Sequence, residues 1–160
     1  MPRALAFENR IAAGIADPGV VDVSTSWIKS LPTPLLALLK GGRKAEFDQY
    51  LTKALTPKDK VTLNFRMRPY GFSSYIDTYT AVLAYILQGV AERIRCPLLI
   101  TSPANEVYWP NQSEQLYNLV TGSKRLVRFS DADGADLHCE PNGTGIRDLH
   151  IYDWLNETLS

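Results

Sequence analysis

The sequence predicts an α/β fold, a parallel sheet flanked by helices and interrupted by an inserted helical segment. Three observations carry this. The last third alternates short apolar runs with helical periodicity, each joined by a brief connection. An apolar run near the start, Ile11–Ala16, stops at Asp17-Pro18-Gly19, as a buried strand ending in a turn does. Between them, residues 24–93 read as helices rich in aromatic side chains.

Taken in order, "PRALAFENR" reads as the tail of a helix, because Ala4, Leu5 and Ala6 are helix formers. Thr33-Pro34 predicts a helix start with a capping residue followed by proline; Leu35, Leu36, Leu38 and Leu39 give it an apolar surface, and Gly41-Gly42 ends it. A further helix is expected over Arg43 to Ala54, with Phe47, Leu51 and Leu55 four residues apart. Thr56-Pro57-Lys58-Asp59 begins another, and Ser73 or Ser74 caps one carrying Tyr75, Tyr79, Val82, Leu83 and Ile86. The aromatic residues of this stretch are Trp27, Phe65, Tyr70, Phe72, Tyr75, Tyr79 and Tyr85.

Pro97–Thr101 is a continuous apolar run, the signature of a parallel strand buried on both faces. "PNQSEQLYNLVTG" predicts a helix with Leu116, Leu119 and Val120 inward, closed by Gly122. Arg125–Phe129 reads as a strand near a sheet edge because of its charges. A last helix, about 145–159, is expected to cover a wide face with Ile146, Leu149, Tyr152, Trp154, Leu155 and Leu159. Strand, helix, strand, helix with short connections requires right-handed parallel crossovers.

The chain has 160 residues, with seventeen basic and seventeen acidic side chains. Zero net charge argues against a nucleic-acid binder or a membrane-surface binder. No apolar run reaches membrane-spanning length, and "MPRALAFENR" lacks the apolar core of a secretory signal. Cys96 and Cys139 lie far apart and match no metal spacing, so they read as reduced thiols of a cytoplasmic protein. His138 and His150 are the only histidines, and with no Cys/His cluster they offer no metal-ligand set. No motif calls for a cofactor.

The chemistry concentrates where such sheets place it, beyond the carboxyl ends of the strands. Glu106 follows the first C-terminal strand and His138 follows the next. An acid and then a histidine is the chain order of the last two members of a nucleophile–acid–histidine triad. The acid accepts the imidazole N–H and fixes its tautomer, so the other ring nitrogen can take a proton from a hydroxyl nucleophile. From spacing alone His138 reads rather as an ordinary loop histidine, and Glu106 as a solvated loop acid. Asp131, Asp133 and Asp136 lie nearer to His138 in sequence and compete as its partner, although their pattern suits a turn-forming loop. Cys139 adjoins the histidine but reads as a packed thiol, since adjacent side chains point apart.

"CPLLITSPANEVYWPNQSEQLY", "GSKRLVRFSDADGADLHCEP" and "IYDWLNETL" together resemble the C-terminal part of a cap-bearing α/β-hydrolase. The branch is similar to the dienelactone-hydrolase and prolyl-oligopeptidase-like serine hydrolases, including the 2,6-dihydropseudooxynicotine hydrolases. The resemblance rests on Asn105-Glu106 ahead of Trp109-Pro110-Asn111-Gln112, and on the stretch Gly134 to Glu140 around His138. It implies that Glu106 and His138 are the acid and base of a Ser-Glu-His triad. It further implies three regions: 1–23 opening the hydrolase core, 24–93 as a helical cap, and 94–160 as the C-terminal core.

The same resemblance places "PRALAFE" directly after a nucleophile elbow, Gly-x-Ser-x-Gly. No such motif occurs in these residues; Gly71-Phe72-Ser73-Ser74-Tyr75 lacks the final glycine and falls in the helical insert. The oxyanion-hole donors belong to the same missing region. The expectation is therefore a C-terminal fragment of a serine hydrolase, inactive until an N-terminal half completes it for a small-molecule substrate. Its sheet edge would be exposed and prone to self-association. The alternative is a non-catalytic remnant that binds a partner or ligand.

Overall fold

A computed structural model describes residues 2–160. Its elements are α1 (Pro2–Leu5), β1 (Gly14–Ala16), α2 (Ser24–Ile28), α3 (Thr33–Lys40), α4 (Lys44–Ala54), α5 (Pro57–Met67), α6 (Tyr75–Leu83), β2 (Leu98–Pro103), α7 (Gln112–Leu119), β3 (Lys124–Phe129) and α8 (Thr144–Leu159). They form two compact units, one running up to Asp22 and resuming over Ile86–Ser160, the other Val23–Tyr85.

The first unit is built on a three-stranded sheet of order β1-β2-β3, parallel throughout. β2 is the centre. Leu98, Leu99 and Ile100 are completely buried, as a strand covered on both faces must be. Leu5, Ile94, Leu116 and Val120 pack into the same core. β3 is an edge strand, and its residues are mostly half-exposed until the buried Phe129.

β1 is shorter than the expected Ile11–Ala16. Its register pairs Gly14 with Leu98, and the Gly14 amide donates to the Pro97 carbonyl at 2.9 Å. Extending that ladder by one step would require the Ala12 carbonyl to accept from the amide of residue 97. Proline has no N–H, so the pairing stops.

The second unit is all helical. Phe47, Leu35, Leu39, Leu51, Ile76 and Tyr79 form its core. Aromatic edges lock it: Trp27 meets Tyr79 at 5.4 Å and Tyr70 at 5.8 Å, and Phe47 meets Tyr79 at 5.4 Å. Thr56 caps α5 by accepting from the Asp59 amide, and Ser74 caps α6 by accepting from the Asp77 amide. Thr33 does not cap α3; it lies inside the first turn behind an extended Pro32. Pro34 has already removed one of the free amides that a cap would satisfy.

α8 also departs from expectation. Trp154 is buried, whereas Leu149, Tyr152 and Leu159 are 57–63% exposed. At about 100° per residue these three lie roughly 140–200° around the helix from Trp154. A single face of α8 is buried, and apolar composition on the opposite side does not change that.

Truncating Ile100 to alanine should cost about 2–5 kcal/mol, because the central strand cannot collapse around the lost atoms. Leu149→Ala should cost less than about 0.5 kcal/mol. Urea unfolding midpoints of the two variants check this, and similar losses at both positions would contradict the assigned faces.

Candidate functional site

The register of the sheet aligns two loops. Pro103 at the end of β2 pairs with Phe129 at the end of β3, so the segments that follow leave the sheet side by side. The Ala104 amide donates to the Phe129 carbonyl at 2.9 Å, and the Asn105 amide donates to the Asp136 carbonyl at 2.8 Å. The Asn105 side-chain amide then donates to Asp131 at 2.9 Å and to Asp136 at 2.7 Å. Asn105 thus stitches the two loops together.

Glu106 and His138 meet across this seam, with His138 Nδ1 2.6 Å from Glu106 Oε2. The other carboxylate oxygen, Oε1, accepts from the Tyr108 and Trp109 amides at 2.7 and 3.1 Å. Both oxygens are therefore engaged and the rotamer is fixed. The Glu106 side chain is 6% exposed and that of His138 28%. With a carboxylate as acceptor, Nδ1 carries the imidazole proton and Nε2 presents its lone pair. Among the described residues Nε2 has no hydrogen-bond partner. Tyr108 and Trp109 flank the imidazole at 4.9 and 5.5 Å between ring centroids, so the residues whose amides hold Glu106 also shape the slot of His138.

The competing carboxylates go elsewhere. Asp131 and Asp136 serve Asn105, and Asp133 accepts from the Ser130 amide and hydroxyl. Burial, and then the nearby Asp17 carboxylate, push the Cys139 thiol up, although Arg147 opposes them. A thiol held protonated is a weak nucleophile. His150 lies on the exposed side of α8 and places its ring 5.7 Å from Phe129. Among the described residues no group of three or more His, Cys, Asp or Glu side chains could hold a metal, and no helix is long and apolar enough to cross a membrane.

Several structural partners were not assigned from the sequence. Gln112 closes the aromatic-Pro-x-Gln stretch, and its Oε1 accepts from the Val21 and Asp22 amides, each at 2.8 Å. The Ser113 hydroxyl accepts from the Gly19 amide at 3.0 Å. These two residues satisfy the buried backbone that follows β1, and Asn111 makes the turn before them at φ 63°. A Cβ on Gly143 would lie 2.4 Å from the Ala135 Cβ, so the start of α8 packs directly on the histidine loop. Beside Glu106 an open cleft of about 130 Å³ is bordered by Ser102, Pro103, Trp109, Ser113 and Glu114. It is smaller than the ~300–1,000 Å³ of typical ligand sites.

No family model matches the chain, and no curated protein matches it. Two solved structures share its fold. A 2,6-dihydroxy-pseudo-oxynicotine hydrolase superposes with TM-score 0.56 and 22% identity, covering 99% of this chain and 36% of its own. The alpha/beta hydrolase GrgF from Penicillium sp. sh18 superposes with TM-score 0.55 and 15% identity, covering 98% of this chain and 59% of its own. The chain thus spans about a third and three-fifths of these neighbours, and its architecture is a partial α/β-hydrolase fold.

Asn105→Ala should unstitch the two loops. We expect a stability loss of about 1 kcal/mol, discounted for exposure, with faster proteolytic cleavage within residues 130–139 and an unchanged far-UV spectrum. An unaltered cleavage rate would show that the stitch does not hold the loops.

Proposed function

We propose that this chain supplies the acid and base of a Ser-Glu-His hydrolase acting on an ester, an amide or an activated C–C bond. Glu106 orients His138, and His138 deprotonates a serine held by a segment outside these 160 residues. The observation that carries this reading is the 2.6 Å contact between His138 Nδ1 and Glu106 Oε2, beyond the carboxyl ends of adjacent parallel strands. The α/β-hydrolase fold of the neighbours supports it, as does the hydrolase activity named for one of them.

The chemistry follows from the geometry. Nε2 takes the hydroxyl proton as the serine oxygen attacks the substrate carbonyl, and Glu106 stabilises the resulting imidazolium without accepting its proton. The proton then passes to the leaving group, and water repeats the cycle on the acyl-enzyme. In this reading the helical unit, expected over residues 24–93 and found as Val23–Tyr85, corresponds to the cap of a hydrolase with a small-molecule substrate, and residues 86–93 belong to the sheet unit. No Gly-x-Ser-x-Gly occurs in the sequence, so neither the nucleophile nor the backbone donor beside it is supplied here. β1 is an edge strand among the described residues, and its open side is where a completing strand would pair. Without one, that edge is a route to self-association, readable as concentration-dependent sedimentation.

A fluorophosphonate probe tests the reading. The purified chain should remain unlabelled, and serine labelling should occur when a segment carrying the elbow is co-expressed. In that completed protein His138→Ala and Glu106→Gln should each lower turnover by on the order of 10⁴. Serine labelling of the chain alone would overturn the proposal. Failure to label in any combination would favour a non-catalytic binding module.

A further inference from the structure

A second pair of carboxyl groups lies on the other side of the histidine loop. Glu140, two residues beyond His138, is completely buried, and neither of its carboxyl oxygens has a hydrogen-bond partner among the described residues. The polar groups that face it are the Asp17 carboxylate, the Thr101 hydroxyl and the Arg147 guanidinium. These come from the turn after β1, from β2 and from the first turns of α8. Asp17 is the better compensated acid, because Thr101 donates to its Oδ1 at 2.7 Å and Arg147 approaches its Oδ2 at 3.9 Å.

The backbone around Glu140 is held in a strained form. Cys139 and Glu140 are consecutive non-glycine residues at φ 57° and 44°, a conformation L side chains avoid unless their surroundings impose it. Arg147 also donates to the Cys139 carbonyl at 3.2 Å, and the Cys139 thiol donates to the Asp17 carbonyl at 3.7 Å. The whole turn is therefore anchored to the β1 end and to α8.

An enclosed carboxyl group beside a second carboxylate, with the nearest hydroxyl, Thr101, donating to that second carboxylate instead, is driven toward its neutral form. We propose that Glu140 is a positioning residue that, as a neutral carboxylic acid sharing its proton with Asp17, clamps the loop presenting His138 to the ends of β1 and β2. The proton stays on the Glu140 oxygen and is donated to Asp17, and no other group changes state. The clamp deepens the reading of His138 as the base and rests on it for its purpose, though not for its existence. Burial above all, and then Asp17, push the Glu140 carboxyl up to about 9. Arg147 and Thr101 pull the other way and do not prevail.

The sign of the stability effect follows. A folded value raised above the ordinary 4.5 means that the stability Glu140 contributes is fully present below about 4.5. It is lost as pH rises through about 9, where the clamp opens. Glutamine at this position cannot ionise, yet its amide can still donate to Asp17. Glu140→Gln should therefore remove the alkaline transition and keep the loop in place.

Carbon-detected NMR of the side-chain carboxyl groups in the full chain tests this, with the backbone amides of residues 137–140 as the readout of the loop. The Glu140 carboxyl should titrate near 9 rather than near 4.5, and the loop amides should shift with the same midpoint. Asp17→Asn, the second variant, should lower that midpoint without restoring the ordinary value, because burial is the larger cause. In Glu140→Gln the amide shift should vanish. Titration of Glu140 in the ordinary carboxylate range overturns the proposal, as does a loop transition that persists unchanged in the Gln variant. Loss of the His138 Nδ1 proton signature at every pH, with the Glu140 titration intact, would instead count against His138 as the base.

Discussion

The parallel pairing of β2 with β3 is the constraint on which the site depends. It fixes Pro103 opposite Phe129, so the acid loop and the histidine loop start at the same height and only one strand apart. Shifting that register by one residue would move the loops by about 3.3 Å along the strand and turn every β3 side chain to the other face. The contact between Glu106 and His138 has no slack of that size. The burial of β2 makes the register costly to change, since Leu98, Leu99 and Ile100 are sealed on both faces. Hydrophobic burial therefore sets the height of the two loops, and the polar stitch through Asn105 sets their separation.

Two carboxyl groups next to the histidine loop occupy opposite environments. Glu106 is nearly as enclosed as Glu140 but accepts from two backbone amides and meets an imidazole. Glu140 has no such donors and faces another acid. Similar burial is thus answered by backbone donors in one place and, in the proposed clamp, by a retained proton in the other. The difference lies in the loop backbone. The turn at 106–109 aims its N–H groups inward at Glu106, whereas the left-handed turn at 139–140 leaves both Glu140 oxygens unpartnered.

What was legible in the sequence follows the same physics. Periodicity located the buried strand β2 and the helices with apolar faces, because burial leaves a pattern in residue type. Chain order and motif context singled out Glu106 and His138. The shortening of β1 was encoded too, but in the missing N–H of Pro97 on its partner strand, which no local window on residues 11–16 contains. Leu149, Tyr152 and Leu159 depart from the wide apolar face the sequence predicts, because composition does not say which side of a helix is buried. Gln112, Ser113 and Glu140 are not legible as supports in the sequence, since the residues they meet on the other side of the fold, Val21, Gly19 and Asp17, lie about 90 to more than 100 residues away.

Under the proposed function, a base oriented this well is inert by itself. The imidazole can accept a proton only from a hydroxyl within about 3 Å, and transition-state charge is stabilised only where donors already point at it. In the proposed hydrolase the Glu106–His138 pair would provide pre-organisation: the tautomer and the ring plane would be set before any nucleophile arrives. Fixing them within the two loops means that a completing segment need bring only a hydroxyl and its donors, and need not reorganise the base. On that proposal the strand edge at β1 and the Nε2 lone pair would be two halves of one requirement, since a parallel strand docking on that edge would deliver its loop at the same carboxyl end of the sheet as His138.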